Sequence, residues 1–167
     1  NALPVATISS SDPDNIFCEG SSVTFYAGPG VDLTNFSFKV GTVVVQSGPS
    51  NSYTTSTLTN GQKVSVTVTN LKGCSATSPE ITNYVNPLPF MFIYSAPECS
   101  TDLLTYSLEV TVNTGTVTST GGIVTYKGNN VYSISNVPSG TDITIKARVA
   151  ATGCESIIEV TAPDCSC

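Results

Sequence analysis

The chain has 167 residues, of which only 11% are charged, and it carries a net charge of −6 with no histidine. An acidic balance without a basic cluster excludes the usual electrostatic recognition of nucleic acid and of anionic membrane surfaces. No apolar run reaches the roughly 18 residues of a membrane span and no signal peptide is present, so we expect a mature fragment without membrane insertion. The lack of histidine also excludes Ser-His and Cys-His catalysis, and we expect no enzymatic activity.

Threonine and serine, with 24 and 22 residues, dominate a sequence whose valine-rich segments alternate apolar and polar positions. This pattern is typical of half-buried strands, and no segment has a helical period. The strands predicted in the first half are Val5–Ser9, Ser22–Ala27, Asn35–Val40, Val43–Gln46, Ser52–Leu58, Lys63–Asn70 and Glu80–Val85. Those predicted in the second half are Phe90–Tyr94, Thr105–Asn113, Thr116–Ser119, Ile123–Tyr126, Val131–Ser135, Asp142–Ala150 and Glu155–Thr161. We therefore predict an all-β chain of two tandem immunoglobulin-like β-sandwich modules, residues 1–89 and 90–167.

The cysteine spacing repeats along the chain. Cys18 and Cys74 are 56 positions apart, Cys99 and Cys154 are 55 apart, and the second cysteine of each pair follows a glycine. Each pair flanks strands that should belong to facing antiparallel sheets, so we expect one disulfide per module, Cys18–Cys74 and Cys99–Cys154. Each bond should stabilise its module by about 4 kcal/mol. Patterned cysteines in small modules indicate an oxidising, extracellular compartment, whereas zinc is disfavoured without histidine or a Cys-x2-Cys pair.

Cys165 and Cys167 have no partner in this scheme. An Ala-Pro-acid-Cys motif occurs at residues 96–99 and again at 162–165, so Cys165 resembles the first cysteine of a further repeat. We expect Cys165 to pair with a cysteine of a following module. Pairing with Cys167 or with another chain is the alternative.

Asp12, Asp14 and Asn15 place three oxygen-bearing side chains within four residues, with a proline between the two aspartates. Hard oxygen ligands of this kind make the segment a candidate calcium site that could stiffen a series of modules. We favour an Asx-type turn instead, because no spaced downstream carboxylate completes a ligand set. No other cofactor is expected.

The connection between the modules contains two prolines, at positions 87 and 89, and no flexible Gly-Ser stretch. Proline fixes its own φ and pushes the preceding residue toward extended conformations, so we expect a restricted junction. Leu88, Phe90 and Phe92 are the apolar side chains expected to be buried there. An exposed adhesive patch is the alternative interpretation of the aromatic segment.

Several short segments together carry a family resemblance over about residues 1–89. They are Asp14-Asn15-Ile16-Phe17-Cys18-Glu19-Gly20, Asn51-Ser52-Tyr53-Thr54-Thr55, Leu58-Thr59-Asn60-Gly61, Gly73-Cys74-Ser75 and Val85-Asn86-Pro87-Leu88-Pro89. The chain resembles the PKD-like, immunoglobulin-like tandem repeats of large surface-exposed or secreted Bacteroidetes proteins, adhesins among them. The resemblance implies no catalytic residues.

The resemblance implies a non-enzymatic structural or adhesive repeat segment of a long extracellular protein, whose partners are the neighbouring repeats. One alternative is a subunit or repeat of an extracellular filament, which would bind other copies of the chain. A second alternative is a carbohydrate-binding module for a surface glycan. Because the sequence has no tryptophan, that module would depend on surface tyrosines such as Tyr53, Tyr126 or Tyr132.

Overall fold

The computed structural model describes residues 3–30 and 32–166, and the chain forms two compact units, residues 1–86 and 87–167. The division falls three residues before the boundary expected at 89/90. Every regular element in the described ranges is a β-strand. The all-β, immunoglobulin-like prediction is confirmed by the strand order of the units, each of which is described below.

In the described part of the first unit there are ten strands. They are β1 (Ile8–Ser10), β2 (Ile16–Cys18), β3 (Val23–Ala27), β4 (Leu33–Val40), β5 (Val43–Gly48), β6 (Ser52–Thr55), β7 (Lys63–Asn70), β8 (Ser75–Thr77), β9 (Ile81–Thr82) and β10 (Tyr84–Asn86). One sheet has the order β1-β3-β6, and the other has the order β5-β4-β7-β8 with β9 also pairing with β7. A separate parallel pair joins β2 to β10. Two antiparallel sheets with non-sequential neighbours are the arrangement of an immunoglobulin-like sandwich.

Alternation in the longer strands builds the core of the first unit. Phe25 on β3, Phe38 on β4 and Val66 on β7 are completely buried, whereas their sequence neighbours are mostly half-buried or exposed. Because side chains of a strand alternate between its two faces, each strand contributes one apolar row. Full burial of one such side chain stabilises the fold by about 1.5–3 kcal/mol.

Up to residue 166, the second unit has seven strands. They are β11 (Met91–Cys99), β12 (Thr105–Val112), β13 (Thr116–Ser119), β14 (Ile123–Gly128), β15 (Val131–Pro138), β16 (Ile143–Arg148) and β17 (Glu155–Val160). Its sheets have the orders β11-β12-β15-β14 and β13-β16-β17. With the strands lettered A to G along the chain, these are the ABED and CFG sheets of the constant-type immunoglobulin fold. Tyr106, Val110 and Ile145 lie in the core between them.

The predicted Cys18–Cys74 bond is wrong, because Cys74 is a free thiol. Cys18 is itself a half-cystine. It is the last residue of β2, and in the parallel pairing of β2 with β10 it lies opposite Asn86. Cys74 lies in the turn between β7 and β8, where its N–H donates to the side-chain oxygen of Asn70 at 3.0 Å. The prediction failed because it placed Cys18 directly before β3 and did not include β2.

The predicted Cys99–Cys154 bond is also wrong, because Cys99 bonds Cys165 with a Cα–Cα distance of 5.7 Å. Cys154 directly precedes β17 and Cys165 follows it, so the six-residue strand, about 20 Å long, separates them. Cys99, which lies beside Cys165, therefore cannot also lie beside Cys154. Cys154 is a half-cystine too. The prediction that Cys165 pairs with a cysteine of a following module is also wrong, because Cys165 bonds Cys99. Cys167 lies outside the described residues.

Candidate functional site

The outer face of the four-stranded sheet in the second unit carries the candidate site. On β12, Leu108, Val110 and Val112 are buried in the core, and the alternating residues Glu109 and Thr111 therefore project from the opposite face. The neighbouring strands follow the same register. Thr111 pairs with Phe92 of β11 and with Val131 of β15, and Glu109 pairs with Ser95 and Ser133.

The strand pairing of this sheet has several register shifts, and two of them, one on β11 and one on β14, lie beside the site. On β11, Ile93 pairs with Val110 and Ser95 with Glu109, so Tyr94 is the extra residue of the first bulge. A bulge of this kind re-aims a side chain, and bulges are frequent beside functional sites. Tyr94 shares the outer face with Phe92, two positions earlier, as strand alternation requires, and the bulge brings the next residue, Ser95, to that face as well.

The second bulge lies on β14. Tyr126 pairs with Tyr132 and Gly128 with Val131, which leaves Lys127 as the extra residue. Asn129 and Asn130 then form the two-residue hairpin loop, with φ values of 51° and 63°. Two consecutive positive φ values are the signature of the type I′ turn that fits the twist of a hairpin.

These features converge on one shallow cavity of about 450 Å³, which we call the outer-face cavity. Its lining includes the aromatic and polar side chains of Phe92, Tyr94, Glu109, Thr111, Lys127 and Asn129. The rings are available to a ligand, since 47% of Phe92 and 63% of Tyr94 is exposed. Three strand spacings separate β11 from β14, so the face is about 14 Å wide.

A second depression of about 350 Å³ continues along the same face and shares Glu109 with the first. Its lining adds the carboxylate of Glu98 and the hydroxyls of Ser107, Ser133 and Ser135. Together the two depressions present two carboxylates, one lysine and several hydroxyls. The face is therefore polar and weakly acidic, with aromatic rings at one end.

The acidic segment of the first unit forms the Asx-type turn. The N–H of Ile16 donates to Oδ1 of Asp14 at 3.0 Å and, less closely, to Oδ1 of Asp12 at 3.3 Å. Asn15, which lies between Asp14 and Ile16, has a φ of 57°. The side chain of Asp12 and the N–H of Ile16 hold the pKa of Asp14 below its ordinary value. The carboxylates thus serve as backbone acceptors at this turn.

The residues assigned to the junction are more exposed than expected. Leu88 is 38% exposed, Phe90 is 64% exposed and Phe92 is 47% exposed. Their burial between the two units stays a prediction. Within the second unit, the register of β11 directs the side chain of Phe92 to the outer face of the sheet beside Thr111.

Two of the three tyrosines considered for glycan binding are half-buried and pack against the cores. Tyr53 packs against the core of the first unit, and its ring stacks on Phe25 at a centroid distance of 6.5 Å. Tyr132 packs against the core of the second unit and contacts the ring of Tyr126 at 5.0 Å. Tyr126 itself is 57% exposed.

In the ranges that the structure describes, no three side chains of the Cys, Asp and Glu types converge closely enough to hold a metal ion. Within the same ranges, no helix is long and apolar enough to span a membrane.

No protein-family model matches the chain, and no curated protein matches it. Among solved structures it is similar to the fibronectin(III)-like modules of Clostridium thermocellum CbhA, with 11% identity, 93% of this chain and 94% of that chain covered, and a TM-score of 0.44. It is also similar to a structure of the mouse coronavirus receptor-binding domain complexed with its murine receptor. The identity is 12%, the match covers 95% of this chain and 99% of that chain, and the TM-score is 0.41. A third similarity is to three N-terminal domains of the bacteriophage RB49 Hoc protein. The identity is 13%, the match covers 95% of this chain and 59% of that chain, and the TM-score is 0.42. The immunoglobulin-like assignment rests on the strand order of the two units.

Proposed function

We propose that this chain is a non-enzymatic structural and adhesive repeat segment of a long extracellular protein of the PKD-like type that its sequence resembles in Bacteroidetes. The observation that carries the proposal is the succession of two immunoglobulin-like units, each with its own apolar core. Only four residues separate β10 from β11. Modules of this kind extend a protein by repetition, because each one folds around its own core.

The disulfide supports the extracellular part of the proposal. Cys99–Cys165 joins the end of β11 to the segment after β17 in the second unit. Structural disulfides persist in oxidising compartments and are rare where thioredoxin and glutathione keep thiols reduced. A covalent bond of this kind suits a small module that must survive outside the cell.

Immunogold electron microscopy on intact cells of the source organism, with antibodies against the chain, tests the proposed location. We expect gold particles at or beyond the cell surface, and we expect mild protease treatment of intact cells to remove the signal. Labelling confined to the cytoplasm of sectioned cells would contradict the proposal.

A second candidate function, a subunit or repeat of an extracellular filament, is favoured by the edge of the first unit. Strand β5 pairs with β4 on one side and ends its sheet on the other. Val43, Val44 and Val45 are 63%, 51% and 40% exposed, and β5 contains no charged residue. Natural edge strands usually carry a lysine, a proline or another feature that prevents pairing, so this edge is suited to a second copy of the chain.

A further inference from the structure

We propose that the outer-face cavity of the second unit binds a neutral oligosaccharide, with Phe92 and Tyr94 as its stacking platform. This inference deepens the adhesive part of the proposed function and rests on it. The cavity belongs entirely to the second unit, and its lining comes from four adjacent strands of one sheet and the Asn129-Asn130 turn.

The aromatic end of the cavity matches the apolar side of a sugar ring. A pyranose presents a face of C–H groups, which packs on the flat face of an exposed aromatic side chain. Phe92 and Tyr94 both line the cavity, because side chains two positions apart along a strand share one face of the sheet. The ring of Phe92 also contacts the ring of Phe90, with the two ring centroids 5.8 Å apart. Aromatic side chains bind with little loss of conformational entropy because they have only two rotatable side-chain bonds.

The polar groups of the cavity match the rim of the sugar. Each sugar hydroxyl both donates and accepts hydrogen bonds, so a binding site needs both functions. Glu109 offers an ionised acceptor, Lys127 a charged donor, and Thr111 and Asn129 offer both. A few polar groups of fixed position beside an apolar surface are the usual composition of a small-molecule site.

The charge of the face selects a neutral ligand. Glu98 and Glu109 line the two adjoining depressions, where Lys127 is the cation. The chain as a whole carries a charge of −6. Uronates, sialylated glycans and sulfated glycans would bring further negative charge to an acidic face, which disfavours their binding.

The site is built on rigid elements. Glu109 and Thr111 lie on β12, which is hydrogen-bonded on both sides, to β11 and to β15. Lys127 and Asn129 are positioned by the bulge on β14 and by the type I′ turn that follows it. A preformed face of this kind loses little entropy when a ligand binds.

The test is a glycan array probed with the full chain, followed by calorimetry with the best-bound neutral oligosaccharide. The probes are gluco-, manno-, xylo- and galacto-configured oligosaccharides, with polygalacturonate and heparin as anionic comparators. We expect binding to a neutral probe, a loss of affinity of about tenfold or more for Phe92→Ala and Tyr94→Ala, and weaker binding for Glu109→Gln. Tyr26→Ala and Glu159→Gln, which change exposed residues on other faces, should bind like the unaltered chain.

Circular dichroism and melting temperature establish that each variant is folded. If an aromatic variant does not fold, Lys127→Ala carries the test, because its side chain is exposed and its loss removes the charged donor. The proposal is overturned if no neutral probe binds at about 1 mM, if the anionic comparators bind more tightly, or if the cavity variants bind like the controls. Surface labelling of cells is independent of these results, so failure of the glycan site is distinguishable from failure of the proposed extracellular function.

Discussion

The phenol of Tyr106 donates a 2.7 Å hydrogen bond to the backbone oxygen of Thr141. Tyr106 lies on β12 and Thr141 precedes β16, so the bond joins elements of the two facing sheets of the second unit. The ring is 1% exposed, which makes this a buried polar group with a partner. A group of this kind fixes the position of the loop before β16 as well as filling the core.

The first prediction concerns the pH dependence that this tyrosine causes. Burial, and secondarily the negative charge of Asp142, raises the pKa of Tyr106. Because the unfolded chain then releases the proton at a lower pH than the folded one, the stability contribution is complete below about pH 10 and falls as the pH rises further. Urea unfolding between pH 7 and 11 should show this loss, and Tyr106→Phe should reduce it.

The same variant separates the hydrogen bond from the ionisation. At pH 7, Tyr106→Phe should lower the free energy of unfolding by about 1 kcal/mol, since it removes one neutral hydrogen bond and keeps the ring. Tyr84→Phe, which changes an exposed tyrosine, is the control. An alkaline stability loss that is identical in both variants would show that Tyr106 is not its cause.

The second prediction concerns the covalent bond in the second unit. Cys99 and Cys165 are 66 positions apart, so their bond closes a long loop. The double variant Cys99→Ser, Cys165→Ser should lose about 4 kcal/mol of unfolding free energy, because the unfolded chain gains the freedom that the bond removes. Thermal unfolding measured by calorimetry checks the loss, with Cys74→Ser as a control that breaks no bond. Equal melting temperatures for the double variant and the parent would contradict the assignment.

The third prediction concerns the connectivity itself. The Cys74 thiol is half-buried and free, so iodoacetamide should alkylate it in the native, unreduced protein. Peptide mapping without reduction should recover Cys74 as a modified peptide and Cys99 linked to Cys165. A peptide in which Cys74 is linked to Cys18 would restore the pairing expected from the sequence repeat.

The longer strands could be predicted from the sequence because they alternate. Lys63–Asn70 and Thr116–Ser119 were predicted with the bounds that the structure shows, since each is a run of alternating side chains that ends at a turn residue. Strands β2 and β8 were missed, because each has only three residues. The parallel pairing of β2 with β10 is a contact between distant segments, and no local pattern reports it.

The disulfides and the outer-face cavity depend on such distant contacts. The nearly equal spacing of the cysteines indicated equivalent bonds, yet Cys99 bonds Cys165, and both of these cysteines follow the same Ala-Pro-acid motif. Phe92 was expected at the junction, and its pairing with Thr111, which places it on the outer face of the sheet, could not be seen in the sequence. Tyr94 was considered only as part of the aromatic segment that could form an adhesive patch. Lys127 was not recognised as a site residue, because a bulge is a property of the pairing between two strands and not of either strand alone.

The fourth prediction concerns the acidic turn of the first unit. The oxygens of Asp12 and Asp14 accept the N–H of Ile16, and the pKa of Asp14 is lowered by its interactions. The stability contribution of Asp14 is therefore present above its ordinary pKa and is lost as the pH falls through the lowered value. Asp14→Ala should lower the melting temperature at pH 7, whereas Asp14→Asn should lower it less, because an amide oxygen can also accept at an Asx turn.

Scanning fluorimetry of these two variants, with and without calcium, also tests the alternative interpretation of the turn. Since the carboxylates already accept backbone N–H groups, we expect millimolar calcium to leave the melting temperature unchanged. A calcium-dependent rise in the parent protein that is lost in Asp14→Asn would show that the turn is a calcium site.

The last prediction concerns the edge of the first unit. Sedimentation velocity over a range of concentrations should show reversible association of the full chain, because β5 exposes Val43–Val45 along an uncharged edge. Val44→Lys should shift the population to monomer, since a lysine on an edge strand brings like charges together when two such edges pair. Val44→Thr is the matched control, because threonine keeps the β-branched shape and adds no charge. Both substitutions are at an exposed position and should change the stability of the unit by less than about 0.5 kcal/mol. A parent chain that stays monomeric at every concentration, or a Val44→Lys variant that associates like the control, would remove the support that this edge gives to a filament.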